Sequence, residues 1–229
     1  MDNRYFVGLD LGQANDYTAA AVCEEIPASF AAGEGSKEKG LHVRHLERYR
    51  HKPYPEIVER VEHLLDSPAL KHRTELVIDI TGVGTPVADL FKKRNRRFRG
   101  VLITGGDTEH RGEDGNYRVP KRNLVSGLQV LLQSGRLKIA GGLELAEVLK
   151  AELLNFKVKI NLATAHDSYE AWRENDHDDL VLGVALAGWG ASKIPPLQAP
   201  IMVRVDRPGS FGGGALTPSW SQTHPTSAP

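Results

Sequence analysis

The chain has 229 residues, with 29 acidic and 29 basic side chains and 40% hydrophobic content. That length suits one domain of ordinary size with a substantial core, and the charge balance excludes a protein that is basic over its whole surface while leaving local patches open. A single cysteine, Cys23, excludes an internal disulfide, which fits a reducing cytoplasm.

The opening residues Met1 to Arg4 lack the basic and apolar regions of a secretory signal. The longest apolar stretch, Leu180 to Trp189, is about half the length needed to cross a bilayer. A soluble cytoplasmic protein with no membrane partner is expected.

Tyr5 to Leu11 is short, apolar and β-prone, and Asp16 to Glu24 follows after the turn GQAN, so the two read as a hairpin-like pair. A glycine-rich insert, 31–40, reads as a mobile loop. Leu41 to Tyr49 alternates apolar and polar residues and reads as a third strand. Tyr54 to Asp66 carries Ile57, Val58, Val61, Leu64 and Leu65 at helical spacing. Thr74 to Ile80 reads as a buried strand. The glycine turn after it enters a helix in which Thr85 is placed to cap, Pro86 suits the first position, and Val87, Leu90 and Phe91 face inward. Gly100 to Thr104 is the next strand. Strand, helix and strand in this order imply a parallel crossover and an α/β sheet.

Residues 105–119 are polar and turn-rich and read as an exposed loop. Pro120 to Ser134 is a patterned helix with Leu124, Val125, Leu128, Leu131 and Leu132 inward. A short strand, Leu137 to Ala140, leads to a helix over Leu143 to Phe156 and a strand or hairpin arm over Lys157 to Asn161. Asp178 to Trp189 is a final apolar helix. From about Ile194, prolines, glycines and serines dominate, which predicts a flexible tail.

The chemistry concentrates in acids at the ends of apolar elements. Asp10 ends a strand inside GLDLG, Asp79 ends another inside VIDITGVG, and Asp178 and Asp179 open the last helix inside NDHDDLVLG. A carboxylate at a buried strand end is costly unless cations or backbone donors compensate it. Converging on one edge of the sheet, such acids would supply hard oxygen ligands for two magnesium or manganese ions. Taken singly, Asp178 is also a plain N-cap and Asp10 a turn former. The run KKRNRRFR at the end of a helix holds Lys92, Lys93, Arg94, Arg96, Arg97 and Arg99. That exceeds what a helix dipole requires and suits DNA phosphates. Lys121 and Arg122, and after them Lys157 and Lys159, are further candidates. No base-reading module is recognisable, so little sequence specificity is expected.

The order of these motifs resembles a known family. A first-strand DLG followed by DYTA, then D-x-TGVG, then PKRNLVSGLQVLLQSGRLKIA, then HDDLV is similar to the nuclease domain of phage-type large terminase subunits, in the ribonuclease H-like superfamily. The resemblance covers roughly residues 4–190. It implies a ribonuclease H-like mixed α/β sheet flanked by helices over 1–193, followed by the tail, 194–229. It also implies a two-metal endonuclease for double-stranded DNA that works with Mg2+ or Mn2+. Asp10 matches the first-strand metal ligand and Asp79 the acid of the later central strand. The acid opening the last helix is Asp178 on one comparison and Asp179 on another. Asp16, Asp176 and His177 are candidates for an outer layer around the ions. The implied chemistry is phosphodiester hydrolysis by two ions about 3.5–4 Å apart.

No G-x-x-x-x-G-K-[ST] motif is present, so a separate ATPase motor and other packaging subunits are expected as partners. Three readings compete. A junction resolvase of the same superfamily would place its acids similarly. An actin-like or sugar-kinase-type nucleotide-binding protein would use GLDLGQANDYTA and DITGVG as phosphate loops, but leaves HDD unexplained. A catalytically silent subunit is disfavoured by the intact acid set.

Overall fold

A computed structural model describes residues 3–12, 16–31, 38–163, 178–195, 202–203 and 217–218. The chain divides into two compact units, Met1–Lys193 and Ile194–Pro229. The first unit contains strand β1 (Arg4–Asp10), β2 (Thr18–Ile26), a short helix α1 (Ala28–Ala31), β3 (Gly40–Tyr49) and helix α2 (Tyr54–Leu65). These are followed by β4 (Thr74–Asp79), α3 (Gly84–Lys93), β5 (Arg99–Thr104), β6 (His110–Arg111), β7 (Tyr117–Pro120) and α4 (Lys121–Gln133). The unit ends with β8 (Leu137–Ile139), α5 (Ala146–Ala163) and α6 (Asp179–Lys193). The described residues of the second unit are two short strands, β9 (Met202–Val203) and β10 (Thr217–Pro218), paired antiparallel. Among the described residues no helix is long and apolar enough to cross a membrane.

The eight described strands of the first unit form one mixed sheet in the order β6-β7-β5-β4-β1-β2-β3-β8. The hairpin β1–β2 is antiparallel, as the sequence predicts, and β4 lies parallel to β1 on its other side. Because β1 and β4 run the same way, Asp10 and Asp79, their last residues, emerge at the same edge. β3 runs antiparallel to β2, so its end returns to that edge, and Asp10, Ala19 and Arg48 occupy one row across three strands.

Alternation along each strand divides the two faces. Val7, Leu9, Ala20, Val22, Leu76 and Ile78 pack with Ile57, Val58 and Val61 of α2 and with Val87, Ala88 and Phe91 of α3. Phe6, Gly8 and Asp10, with Val77 and Asp79, fall on the opposite face, which α6 crosses. There the packing is set by small residues. A Cβ on Gly8 would collide with the carbonyl oxygen of Gly183, and one on Gly190 would crowd Val77 and Phe6. The bare backbone at Gly8 is what lets α6 lie directly on β1 and bring its first residues beside Asp10.

Several sequence expectations give way to the structure. Residues 105–119 are not all loop: β6 and β7 pair antiparallel and β7 extends the sheet beside β5. The predicted arm at Lys157 to Asn161 is helical, since α5 continues to Ala163. The alternation of lysines with Val158 and Ile160 imitates a strand, yet no glycine or proline interrupts the run between Ala146 and Ala163. Thr85 does not cap α3. Its hydroxyl donates instead to the Ile80 carbonyl at 3.2 Å, and Val83 stands at the N-cap position. α1 was missed because four residues carry no readable period.

Candidate metal centre

Asp10, Asp79 and Asp179 are each buried, at 8%, 9% and 7% exposure, although none has the apolar character of its surroundings. Asp10 and Asp79 are there because they end adjacent parallel strands on the α6 face. Asp79 Oδ1 also accepts the Thr81 N–H at 2.8 Å, which steadies the turn into α3. That turn is tight: Gly82 has φ of +60°, and a side chain at Gly84 would strike the Asp79 carbonyl. The glycines of TGVG therefore serve the acid's backbone.

Asp178 and Asp179 enter from the N-terminus of α6. The Asp178 carbonyl accepts the Leu182 N–H at 2.9 Å, which makes Asp178 the N-cap residue by position. An aspartate at this position ordinarily serves the N–H groups that follow, and here a second carboxylate reaches them. Glu152 of α5 accepts Leu180 N–H at 3.0 Å and Val181 N–H at 3.2 Å through Oε2. Asp178 Oδ2 lies 3.9 Å from Lys121 Nζ at the start of α4. Asp179 Oδ2 accepts a 2.9 Å hydrogen bond from Arg48 Nη2, and that guanidinium is also 3.3 Å from Glu152 Oε1. The Arg48 guanidinium lies 3.8 Å over the Tyr17 ring.

Asp10 senses the other three acids. Burial first, then the charges of Asp79, Asp179 and Asp178 in that order, hold the Asp10 carboxyl well above the usual carboxylate range, with Lys121 acting against them. Burial also pushes Glu152 up to about 7, opposed by Arg48 and the α6 N–H groups. Among the described residues no three histidine, cysteine or carboxylate side chains converge as a closed ligand set. One oxygen of Asp179 meets Arg48, one of Asp178 approaches Lys121, and one of Asp79 serves its own turn. The donor set nevertheless suits a hard divalent ion, because four oxygen donors of one charge are crowded at one buried edge with one lysine opposing their effect on Asp10.

The remaining predicted residues fall into three groups. Asp16 is exposed and lines a cavity of about 250 Å³ with Tyr49, His51 and Lys52. Asp176 and His177 lie outside the described residues. The basic run 92–99 begins only after α3 has carried the chain about 15 Å away from Asp79, on the sheet face opposite α6. There Arg94 pairs with Glu59 and Glu62, Arg96 with Glu62 and Asp66, Arg99 with Glu75, and Lys92 with Asp89. Lys93 and Arg97 are exposed on the same segment. Lys121 belongs to the acidic edge, and Arg122 beside it pairs with Asp107.

Arg48 and Glu152 were missed by sequence reasoning. Glu152 left a signal: it interrupts the apolar stripe of Val148, Leu149 and Leu153, and it is buried at 6% exposure. Arg48 left none, being one of many charges in LHVRHLERY.

A family model described as "Terminase RNaseH-like domain" matches residues 7–182. The large terminase nuclease from thermophilic phage G20c, crystallised with bound magnesium, aligns at 18% identity over 82% of this chain and 82% of its own, with a TM-score of 0.50. The same nuclease with bound zinc aligns at 19% identity over 81% and 80%, with a TM-score of 0.47. At these identities the likeness concerns the fold. Among curated proteins, none matches the chain.

Proposed function

Because the chain belongs to the terminase ribonuclease H-like domain family, we propose that it is the DNA-cutting part of a phage-type packaging system, a metal-dependent endonuclease acting on double-stranded DNA. One observation carries the reading: four carboxylates from three separate segments share one sheet edge, and three of them raise the fourth. The magnesium seen in the phage G20c nuclease supports the same choice of ion.

Asp10, Asp79 and Asp179 form the buried part of the ligand set, and Asp178 stands at its more open side with Lys121. Two Mg2+ or Mn2+ ions held there would supply an activated water and neutralise charge on the departing 3′ oxygen. Lys121, 3.9 Å from Asp178, would meet a phosphate at the same edge, with Arg122 next to it. Neither needs to read a base, so the cut is expected to depend on DNA shape and delivery more than on sequence. Delivery would fall to an ATPase motor of the packaging system, acting in the host cytoplasm.

The test is cleavage of plasmid DNA in Mn2+ or Mg2+. Asp10→Ala and Asp79→Ala are expected to abolish cutting while the fold persists by circular dichroism, and Asp179→Asn to lose more activity than Asp178→Asn. Wild-type rates in both alanine variants would refute the assignment.

A further inference from the structure

We propose that Arg48 and Glu152 are positioning residues of this acidic centre, a pair that fixes the start of α6 and the Asp179 carboxylate so that the acids can receive a cation. The inference rests on the metal-nuclease reading above and extends it to two residues outside the ligand set.

The geometry is specific. Arg48 is brought to the edge by strand register, in one row with Ala19 and Asp10. Glu152 reaches it from α5. Their side chains are only 13% and 6% exposed, and charges so deeply placed persist only when paired and hydrogen-bonded. Each does two things. Glu152 Oε2 takes both N–H groups of the first α6 turn, at 3.0 and 3.2 Å, while Oε1 meets Arg48. Arg48 Nη2 meets Glu152 and Asp179, while the plane of the guanidinium rests on Tyr17.

The consequence is a division of labour. An aspartate at the N-cap position ordinarily gives its carboxylate to the N–H groups that follow. Here Glu152 serves two of those groups, and Asp178 Oδ2 lies 3.9 Å from Lys121 at the acidic edge. Arg48 holds one Asp179 oxygen and so fixes the orientation of that carboxylate. Outer partners of this kind orient metal ligands, and losing one costs about ten- to a hundredfold in metal affinity or activity. Lysine is no substitute, because a compact ammonium does not lie over the Tyr17 ring as the guanidinium does while its Nη2 meets both acids.

Electrostatics alone predicts the opposite sign. Removing a cation beside four acids deepens the negative potential and would tighten divalent binding. The sign of the effect therefore separates positioning from simple charge compensation. Mn2+ binding to the full chain, followed by the electron paramagnetic resonance of the free ion, is compared for wild type, R48A, R48K and E152Q. Melting in EDTA confirms that each variant is folded; R48K keeps the cation and guards against an unfolded R48A.

Arg48→Lys is expected to weaken Mn2+ binding roughly ten- to a hundredfold and Arg48→Ala at least as much. Glu152→Gln, which keeps an oxygen for the α6 N–H groups but loses the anionic contact to Arg48, is expected to weaken it less. Wild-type affinity in R48K, or tighter binding in R48A, overturns the proposal and leaves the nuclease reading intact. A wild-type chain that neither binds Mn2+ nor cuts DNA overturns both.

Discussion

Asp10→Asn offers the sharpest test of the electrostatic reading, because it reports on the site without requiring a substrate. Burial and three neighbouring acids hold the Asp10 carboxyl above its ordinary value of 3.8. The sign follows from linkage. A carboxyl whose folded pKa is raised binds more protons in the folded state than in the unfolded one, so stability falls as pH climbs from the unfolded pKa through the folded pKa, and the full penalty applies above both. Each unit of elevation costs about 1.4 kcal/mol, roughly 3–6 °C in Tm for a domain of this size. Asparagine has the same shape and carries no charge, so the penalty disappears.

Metal-free D10N in EDTA is therefore expected to melt several degrees above wild type at pH 8, with the gap closing toward pH 4, where the wild-type carboxyl is also neutral. Adding Mn2+ should raise the wild-type Tm and leave D10N nearly unmoved, since binding stabilises only the state that holds the ion. Scanning fluorimetry across pH, with and without Mn2+, measures all of this. A D10N protein that melts lower than wild type at pH 8 in EDTA would refute the reasoning, because the acid would then be a net stabilising group.

Two further outcomes are expected. Gly8→Ala forces a methyl group against the Gly183 carbonyl and should cost about 1–3 kcal/mol by chemical denaturation, the range for overpacking; an unchanged midpoint would mean that α6 does not lie on β1 as described. The Lys121→Ala, Arg122→Ala double variant should flatten the salt dependence of DNA binding by up to about two phosphate contacts. Replacing Arg94, Arg96 and Arg97 together should lower stability through the lost α2 ion pairs while leaving that slope unchanged, and a flattened slope in the triple variant would return the 92–99 run to the DNA path.

The sheet was legible where two periods differ clearly. Strands β1 through β5 and helices α2, α3, α4 and α6 emerge from the sequence within a residue or two at most ends, because alternation and helical spacing are both visible in runs such as YFVGLDL and YPEIVERVEHLL. Asp10 and Asp79 were legible as acids that terminate apolar runs. The edge strand β6 and its neighbour β7 were hidden because two and four residues are too few to show a period, and their pairing is a matter of backbone. The placement of the 92–99 run was hidden for a different reason. A cluster of arginines reads the same whether acids face it or not, and Glu59, Glu62 and Asp66 become its partners only when α2 and α3 pack side by side.

The centre also shows what the packing accomplishes against its own chemistry. Like charges at a buried edge repel and lose hydration, so left to themselves they would separate. Here they are held by apolar contacts that have no part in the chemistry: Phe6 and Val77 against Gly190, and Gly8 against Gly183 on α6. The first turn of α6 is fastened separately, by Glu152 and Arg48. Crowding of acids is thus maintained by the helix-on-sheet contact, and their orientation by the Arg48–Glu152 pair. A substitution that loosens only the first, such as Gly8→Ala, should let the acids spread and lower the Asp10 pKa toward its ordinary value. One that loosens only the second should leave the acids crowded but misdirected. The pH dependence of metal-free stability reads the former and Mn2+ affinity the latter, so the two contributions are separable in the same protein.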